Sequence, residues 1–77
     1  MNMFSALADP TRHNILEVLA QNGQLSASDI SDKFPVSLSA ISQHLKVLSE
    51  ANLVQMEKRA QQRMYQINPD AILDLEA

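Results

Sequence analysis

The chain of 77 residues contains no cysteine. That absence excludes disulfide staples, thiolate metal sites, redox thiols and a cysteine nucleophile. A single glycine and three prolines leave few places for glycine-rich phosphate loops or for hairpins closed by Asn-Gly turns. No apolar run approaches the roughly 18 residues of a membrane span, and no signal-peptide pattern opens the sequence. These absences point to a soluble, cytoplasmic protein. What is present suffices for a core: apolar residues make up 45% of the chain. The size suits one domain over residues 1–77, of a class that buries about 60% of its unfolded surface on folding.

A net charge of −3 argues at first sight against nucleic acid, but the charges are unevenly spread. Residues 1–35 carry Arg12 and Lys33 against Asp9, Glu17, Asp29 and Asp32, a net −2. Residues 36–66 carry Lys46, Lys58, Arg59 and Arg63 against Glu50 and Glu57, a net +2, and the tail adds Asp70, Asp74 and Glu76. A basic middle between acidic ends can form one positive face, and the local field matters more than the total. An ordinary solvated face would give the same count.

Hydrophobic spacing divides the chain. Met3, Phe4 and Leu7 form a short helical stripe. Asp9-Pro10 reads as a cap followed by proline at the first helical position, opening a helix of about 12 residues that Asn22-Gly23 ends. Ser26 and Asp29 open a short third helix carrying Ala27, Ile30 and Phe34, which Pro35 stops. Ser37 offers a new cap, and Ile41, Leu45 and Leu48 mark a longer helix to about Ala51. The two helices over about 26–51 form a helix-turn-helix pattern. After Asn52 the period changes to two: Val54 and Met56, then Tyr65 and Ile67, flank the cationic stretch 58–63. This is a hairpin over about 54–67, expected to have a loose tip for want of glycine. Asn68-Pro69 begins a last helix with Ala71, Ile72, Leu73 and Leu75. The expected fold is mostly α with a small β-hairpin, a winged helix-turn-helix in the order α-α-α-α-β-β-α.

These residues resemble a known family. Ala6-Leu7-Ala8-Asp9-Pro10-Thr11-Arg12 followed by Ile15-Leu16-Glu17-Val18-Leu19 looks like the opening of the ArsR/SmtB repressors. Ser39-Ala40-Ile41-Ser42-Gln43-His44-Leu45-Lys46-Val47-Leu48 resembles their recognition helix, Ala51-Asn52-Leu53-Val54 its exit, and Arg63-Met64-Tyr65-Gln66-Ile67 the wing. The likeness covers roughly residues 4–75. It implies a homodimeric bacterial repressor of a partly palindromic operator, often released by an effector. Ser26 and Ser28 stand where metal-sensing members place a cysteine pair, and the last helix lacks the paired histidines of the other common metal site. The sequence is most similar to metal-independent members, including the autorepressor type. Ala60 stands where many relatives have glycine. Leu38 stands where they often have a polar reader, which leaves a methyl contact or packing at that position.

Candidate DNA-binding residues are Ser37, Ser39, Ala40, Ser42, Gln43, His44 and Lys46 on the recognition helix, and Lys58, Arg59 and Arg63 on the wing. Glutamine can pair with adenine and small residues let the backbone approach base edges, while wing cations suit phosphate. His44 has no neighbouring carboxylate or second ligand in helical register, so a structural or phosphate-side role outweighs catalysis. The wing cations have a bland alternative in edge-strand protection. Met3, Phe4, Leu7, Ile72, Leu73 and Leu75 are the candidate dimer interface, since so short a monomer does not readily hide them. Pairing them about a two-fold axis would space two recognition helices about one DNA turn, ~34 Å, apart. No cofactor and no metal are expected, because soft metals want thiolates and Asp70, Asp74 and Glu76 make at most a loose divalent site. No catalytic cluster or HExxH motif is present, so an enzyme is not expected. A winged-helix protein-interaction module without DNA binding stays open as the alternative.

Overall fold

Each cap read from the sequence is used in the structure, a computed structural model that describes the backbone of residues 3–71 and the side chains of residues 5–71. In chain order the elements are α1 (Met3–Leu7), α2 (Pro10–Asn22), β1 (Gln24–Ser26), α3 (Ala27–Ser31), α4 (Leu38–Glu50), β2 (Val54–Arg59) and β3 (Gln62–Ile67). A further helical turn opens at Pro69. Ile72, Leu73 and Leu75 lie outside the described residues.

Asp9 caps α2 by accepting the Arg12 N–H at 3.0 Å, with Pro10 at the first helical position. Gly23 stops the helix at φ 85°, its N–H bonding the Leu19 carbonyl at 2.7 Å. A positive φ suits glycine, which has no Cβ to clash. Ser26 and Asp29 form a reciprocal capping box at the start of α3, so two free donors are satisfied at once. The helix ends at Ser31, earlier than the apolar spacing suggests, and Phe34 packs half-buried from the turn that follows.

The core gathers one stripe from every helix. Ala6 of α1, Ile15 and Leu19 of α2, Ile30 of α3 and Ile41, Leu45 and Leu48 of α4 are all buried, joined by Leu53, Val54 and Ala71. Each fully buried aliphatic side chain contributes about 1.5–3 kcal/mol of transfer free energy. Their summed burial fixes how the helices pack.

Two further features differ from the sequence reading. The sheet has three strands in the order β1-β3-β2, all antiparallel. Gln24 pairs with Gln66 and Ser26 with Met64, so β1 owes its strand form to a partner some forty residues later and not to any alternation of its own. The hairpin tip is also tight. Arg59 pairs with Gln62, leaving only Ala60 and Gln61 between the strands. Ala60 adopts φ 53°, the positive φ at a first central turn position that fits the twist of a two-residue hairpin. Alanine accepts it at a cost of about 1–2 kcal/mol.

The link from α4 to the hairpin is a two-bond helix stop. Asn52 N–H bonds the Ser49 carbonyl at 3.0 Å and Leu53 N–H bonds the Leu48 carbonyl at 2.9 Å, with Asn52 at φ 61°. This is the Schellman arrangement, completed by the buried pair Leu48 and Leu53. The turn therefore dictates where β2 leaves the helix. Asn52→Gly should keep stability within about 1 kcal/mol, because glycine tolerates the left-handed region. Asn52→Val should lose about 1–2 kcal/mol, since a β-branched residue does not. Urea unfolding of both variants checks this; equal losses would mean that the backbone at this turn is not held as described.

Candidate nucleic-acid interface

Because Ile41, Leu45 and Leu48 are fully buried, the opposite side of α4 is fixed as its outward face. Leu38, Ser42 and Lys46 follow one another there at intervals of four, one helical row, with Ser39 and Gln43 beside them; all five are exposed. Ser37 holds the start of the helix by accepting the Ala40 N–H at 3.1 Å.

The hairpin stands alongside. Side chains alternate across a strand, and the register pairs Val54 with Ile67, Met56 with Tyr65 and Lys58 with Arg63 on one face. At the base this face joins the core through Val54, Tyr65 and Ile67. Toward the tip it leaves the core and turns into one wall of an open groove of about 800 Å³. The other wall is α4, through Leu38, Ser42, Gln43 and Lys46, and Ser26 to Ser28 close one end. Lys46 and Arg63 line the groove, and among the described residues no carboxylate does. In a chain of net charge −3 this is a locally cationic concavity, lined otherwise by hydroxyl and amide side chains interspersed with apolar ones such as Leu38, Val54 and Met56.

The structure thus brings together Ser42, Gln43, Lys46 and Arg63 of the sequence-predicted set. Ser37 and Ser39 are exposed at the head of the same helix, and Ala40 is half-buried. Lys58 shares the groove-facing side of the hairpin with Arg63 by register. Arg59 does not: it falls on the opposite face, where its Nε lies 3.6 Å from the Glu57 carboxylate. His44 is also set apart. It is half-buried beside the core stripe, with Nδ1 4.0 Å from Asp9 Oδ2, so the carboxylate that no helical spacing supplied comes from the cap of α2. Gln61, Gln62, Met56 and Ser28 line the groove as well. Sequence reasoning passed over the polar ones because hairpin tips and helix starts carry no distinguishing pattern, and over Met56 because strand alternation with Val54 marked it as apolar packing. Of the candidate dimer residues, Leu7 is half-buried against the core. The side chains of Met3 and Phe4, like Ile72, Leu73 and Leu75, lie outside the described residues.

Comparison with known proteins now bears on this geometry. Residues 9–56 match the profile of the bacterial regulatory protein, arsR family. The chain belongs to the ArsR family. It is 36% identical over 73 residues to the transcriptional repressor SdpR of Bacillus subtilis, spanning 95% of this chain and 80% of that protein. A crystal structure of a possible transcriptional regulator for arsenical resistance superposes with a TM-score of 0.89 at 36% identity, covering 99% of this chain and 78% of that one. The homodimeric winged helix-turn-helix DNA-binding domain of Mb0332 from Mycobacterium bovis gives a TM-score of 0.83 at 28% identity, covering 92% of this chain and 65% of that one. This ArsR-family chain is therefore a transcriptional regulator with a winged helix-turn-helix DNA-binding domain, of a family that is not enzymatic. Among the described residues, no helix is long and apolar enough to cross a membrane.

The Ala8-Asp9-Pro10-Thr11-Arg12 segment has a clear physical role in this ArsR member. Arg12 Nε donates to the Ala6 carbonyl at 2.8 Å and Nη2 to the Ser5 carbonyl at 3.1 Å, so one guanidinium bridges two successive carbonyls of α1 and ties that helix to the start of α2. Asp9 caps α2 and faces His44 of α4. The Arg12 backbone N–H, chiefly, holds the Asp9 carboxyl below its ordinary pKa; partial burial opposes this, and the charges of His44 and Arg12 reinforce it. A lowered folded pKa means that the ionised form stabilises the fold. That contribution is complete above the unfolded value, about pH 4, and is lost as pH falls through the lower folded value. Asp9→Asn keeps a capping oxygen but cannot titrate. It should be less stable than the wild type at pH 7, with a smaller gap at pH 3, whereas Asp9→Ala should lose about 1 kcal/mol at neutrality. Urea midpoints at the two pH values test this, and a gap independent of pH would remove the ionised carboxylate from the account.

Proposed function

We propose that the chain is a dimeric repressor that binds a partly palindromic duplex operator, with α4 in the major groove and the hairpin along the adjoining backbone. The observation that carries the reading is the groove between α4 and the hairpin, with Lys46 on one wall, Arg63 on the other and no carboxylate among its described lining residues. Ser39, Ser42 and Gln43 face the base edges in this reading, where glutamine pairs bidentately with adenine. Ser37 and Ala40 let the head of the helix approach closely, and Lys46, Lys58 and Arg63 neutralise phosphate. Arg59 and His44 take secondary places, since Glu57 and Asp9 already engage them.

Dimer formation is supported by the homodimeric state of the Mycobacterium bovis domain. The two-fold axis would pass by α1 and the C-terminal segment, through Met3, Phe4, Leu7, Ile72, Leu73 and Leu75. The 77 residues act as one domain working in the cytoplasm. Zinc, cadmium and arsenite do not release the DNA, because a chain without cysteine offers soft metals no thiolate.

Two variants separate base reading from phosphate contact. Gln43→Ala should lose about 1–3 kcal/mol of discrimination at one operator position per half-site and leave the salt slope unchanged. Arg63→Ala should weaken operator and scrambled duplex alike and lower the log–log salt slope by about one unit per arm. Salt titrations of both variants on both duplexes make the test. Equal losses for Gln43→Ala on the two duplexes would show the recognition face to be misplaced. Wild-type binding to neither duplex, even at low salt, would favour a protein-interaction module.

A further inference from the structure

We infer that Leu38 is a specificity-determining residue that reads the 5-methyl group of a thymine in the major groove. The inference rests on the DNA-binding reading above and adds to it an apolar contact.

Among the described residues the large hydrophobic side chains left exposed are Leu38 and Met56, each 48% accessible. A single exposed leucine needs no explanation. Here, however, both line the same groove, Leu38 from the helix wall and Met56 from the hairpin wall. Leu38 is the first residue of α4, held in place by the Ser37 cap, and it heads the row that continues through Ser42 and Lys46. The N-terminal residues of a recognition helix are those that reach base edges. A leucine there can neither donate nor accept a hydrogen bond. Opposite an adenine or cytosine amino group it leaves a polar edge unsatisfied, which costs binding.

The groove also limits what an occupant can be. Its cations Lys46 and Arg63, with no carboxylate among the described lining residues, call for an anionic partner, while Leu38 asks for an apolar contact within it. Along the major groove of duplex DNA one base substituent is apolar, the thymine methyl. That group lies on the floor of the major groove between two rows of phosphates, so one duplex offers both the anionic and the apolar contact that this lining asks for.

Replacing thymine by deoxyuridine removes this methyl and leaves every hydrogen-bonding atom in place. The probe is the duplex that the wild-type protein selects from a random-sequence library, with each thymine replaced in turn. At one thymine per half-site the wild type should lose affinity by roughly fourfold, the value of one buried methyl group. Leu38→Ser should bind the thymine and deoxyuridine duplexes equally while keeping the wild-type salt slope; Leu38→Met should retain part of the difference. Leu38 is half-exposed, so these variants are expected to fold, and their urea midpoints check it. Salt-dependent duplex binding without any methyl-sensitive thymine, or a methyl effect that persists in Leu38→Ser, overturns the inference and leaves the DNA-binding reading intact. Failure of the wild type to bind any duplex overturns both.

Discussion

The roll of α4 about its own axis governs everything else at the candidate interface, and that roll is set by burial of Ile41, Leu45 and Leu48. All three are fully buried. Turning the helix by one position would bring them toward water, at about 1.5–3 kcal/mol for each side chain exposed. The core therefore decides which residues face outward. Leu38, Ser42, Gln43 and Lys46 appear together on the surface because hydrophobic burial leaves no other orientation, and no contact among themselves is needed to place them.

The neighbouring elements carry that fixed orientation across the molecule. At the end of α4, Asn52 in the left-handed region and the two bonds from Asn52 and Leu53 set the direction of β2. Strand β3 is the centre of the sheet, paired on one side to β2 and on the other to β1. Strand β1 runs directly into the capping box of α3. Thus the wing is tied at its base both to the recognition helix and to the helix before it. On the opposite side, Asp9 and Arg12 join α1, α2 and α4 through a cap, two carbonyl bonds and the approach to His44. This ArsR-family chain thereby links the segment proposed for dimerisation to the helix proposed for DNA through short-range polar contacts.

Local chemistry was the part legible in the sequence. Asp9-Pro10, Ser26 with Asp29, Ser37 and Gly23 each act within a few residues of chain, and each terminates a helix where its side chain or backbone freedom implies. The apolar spacing of Ile41, Leu45 and Leu48 likewise identified the outward face bearing Ser42, Gln43 and Lys46. Non-local consequences escaped. Nothing in Gln24-Leu25-Ser26 alternates strongly enough to announce a strand, since β3 imposes it. The tight tip was missed because Ala60 replaces the glycine that such turns favour, and strand pairing outweighs the strain. Arg59 resembled Lys58 and Arg63 by composition, yet a period of two sends it to the other face. His44 acquired a carboxylate neighbour only through the packing of α2 on α4.

The central claim is that a core-imposed helix roll and the adjoining hairpin together make one DNA-facing groove. Backbone amide chemical-shift mapping during titration with a short duplex tests it most directly. The account predicts shifts concentrated at Leu38, Ser39, Ser42, Gln43 and Lys46 on α4 and at Gln61, Gln62 and Arg63 on the hairpin. Shifts centred on the exposed side of α2, around His13 and Glu17, with the groove residues unmoved, would contradict it.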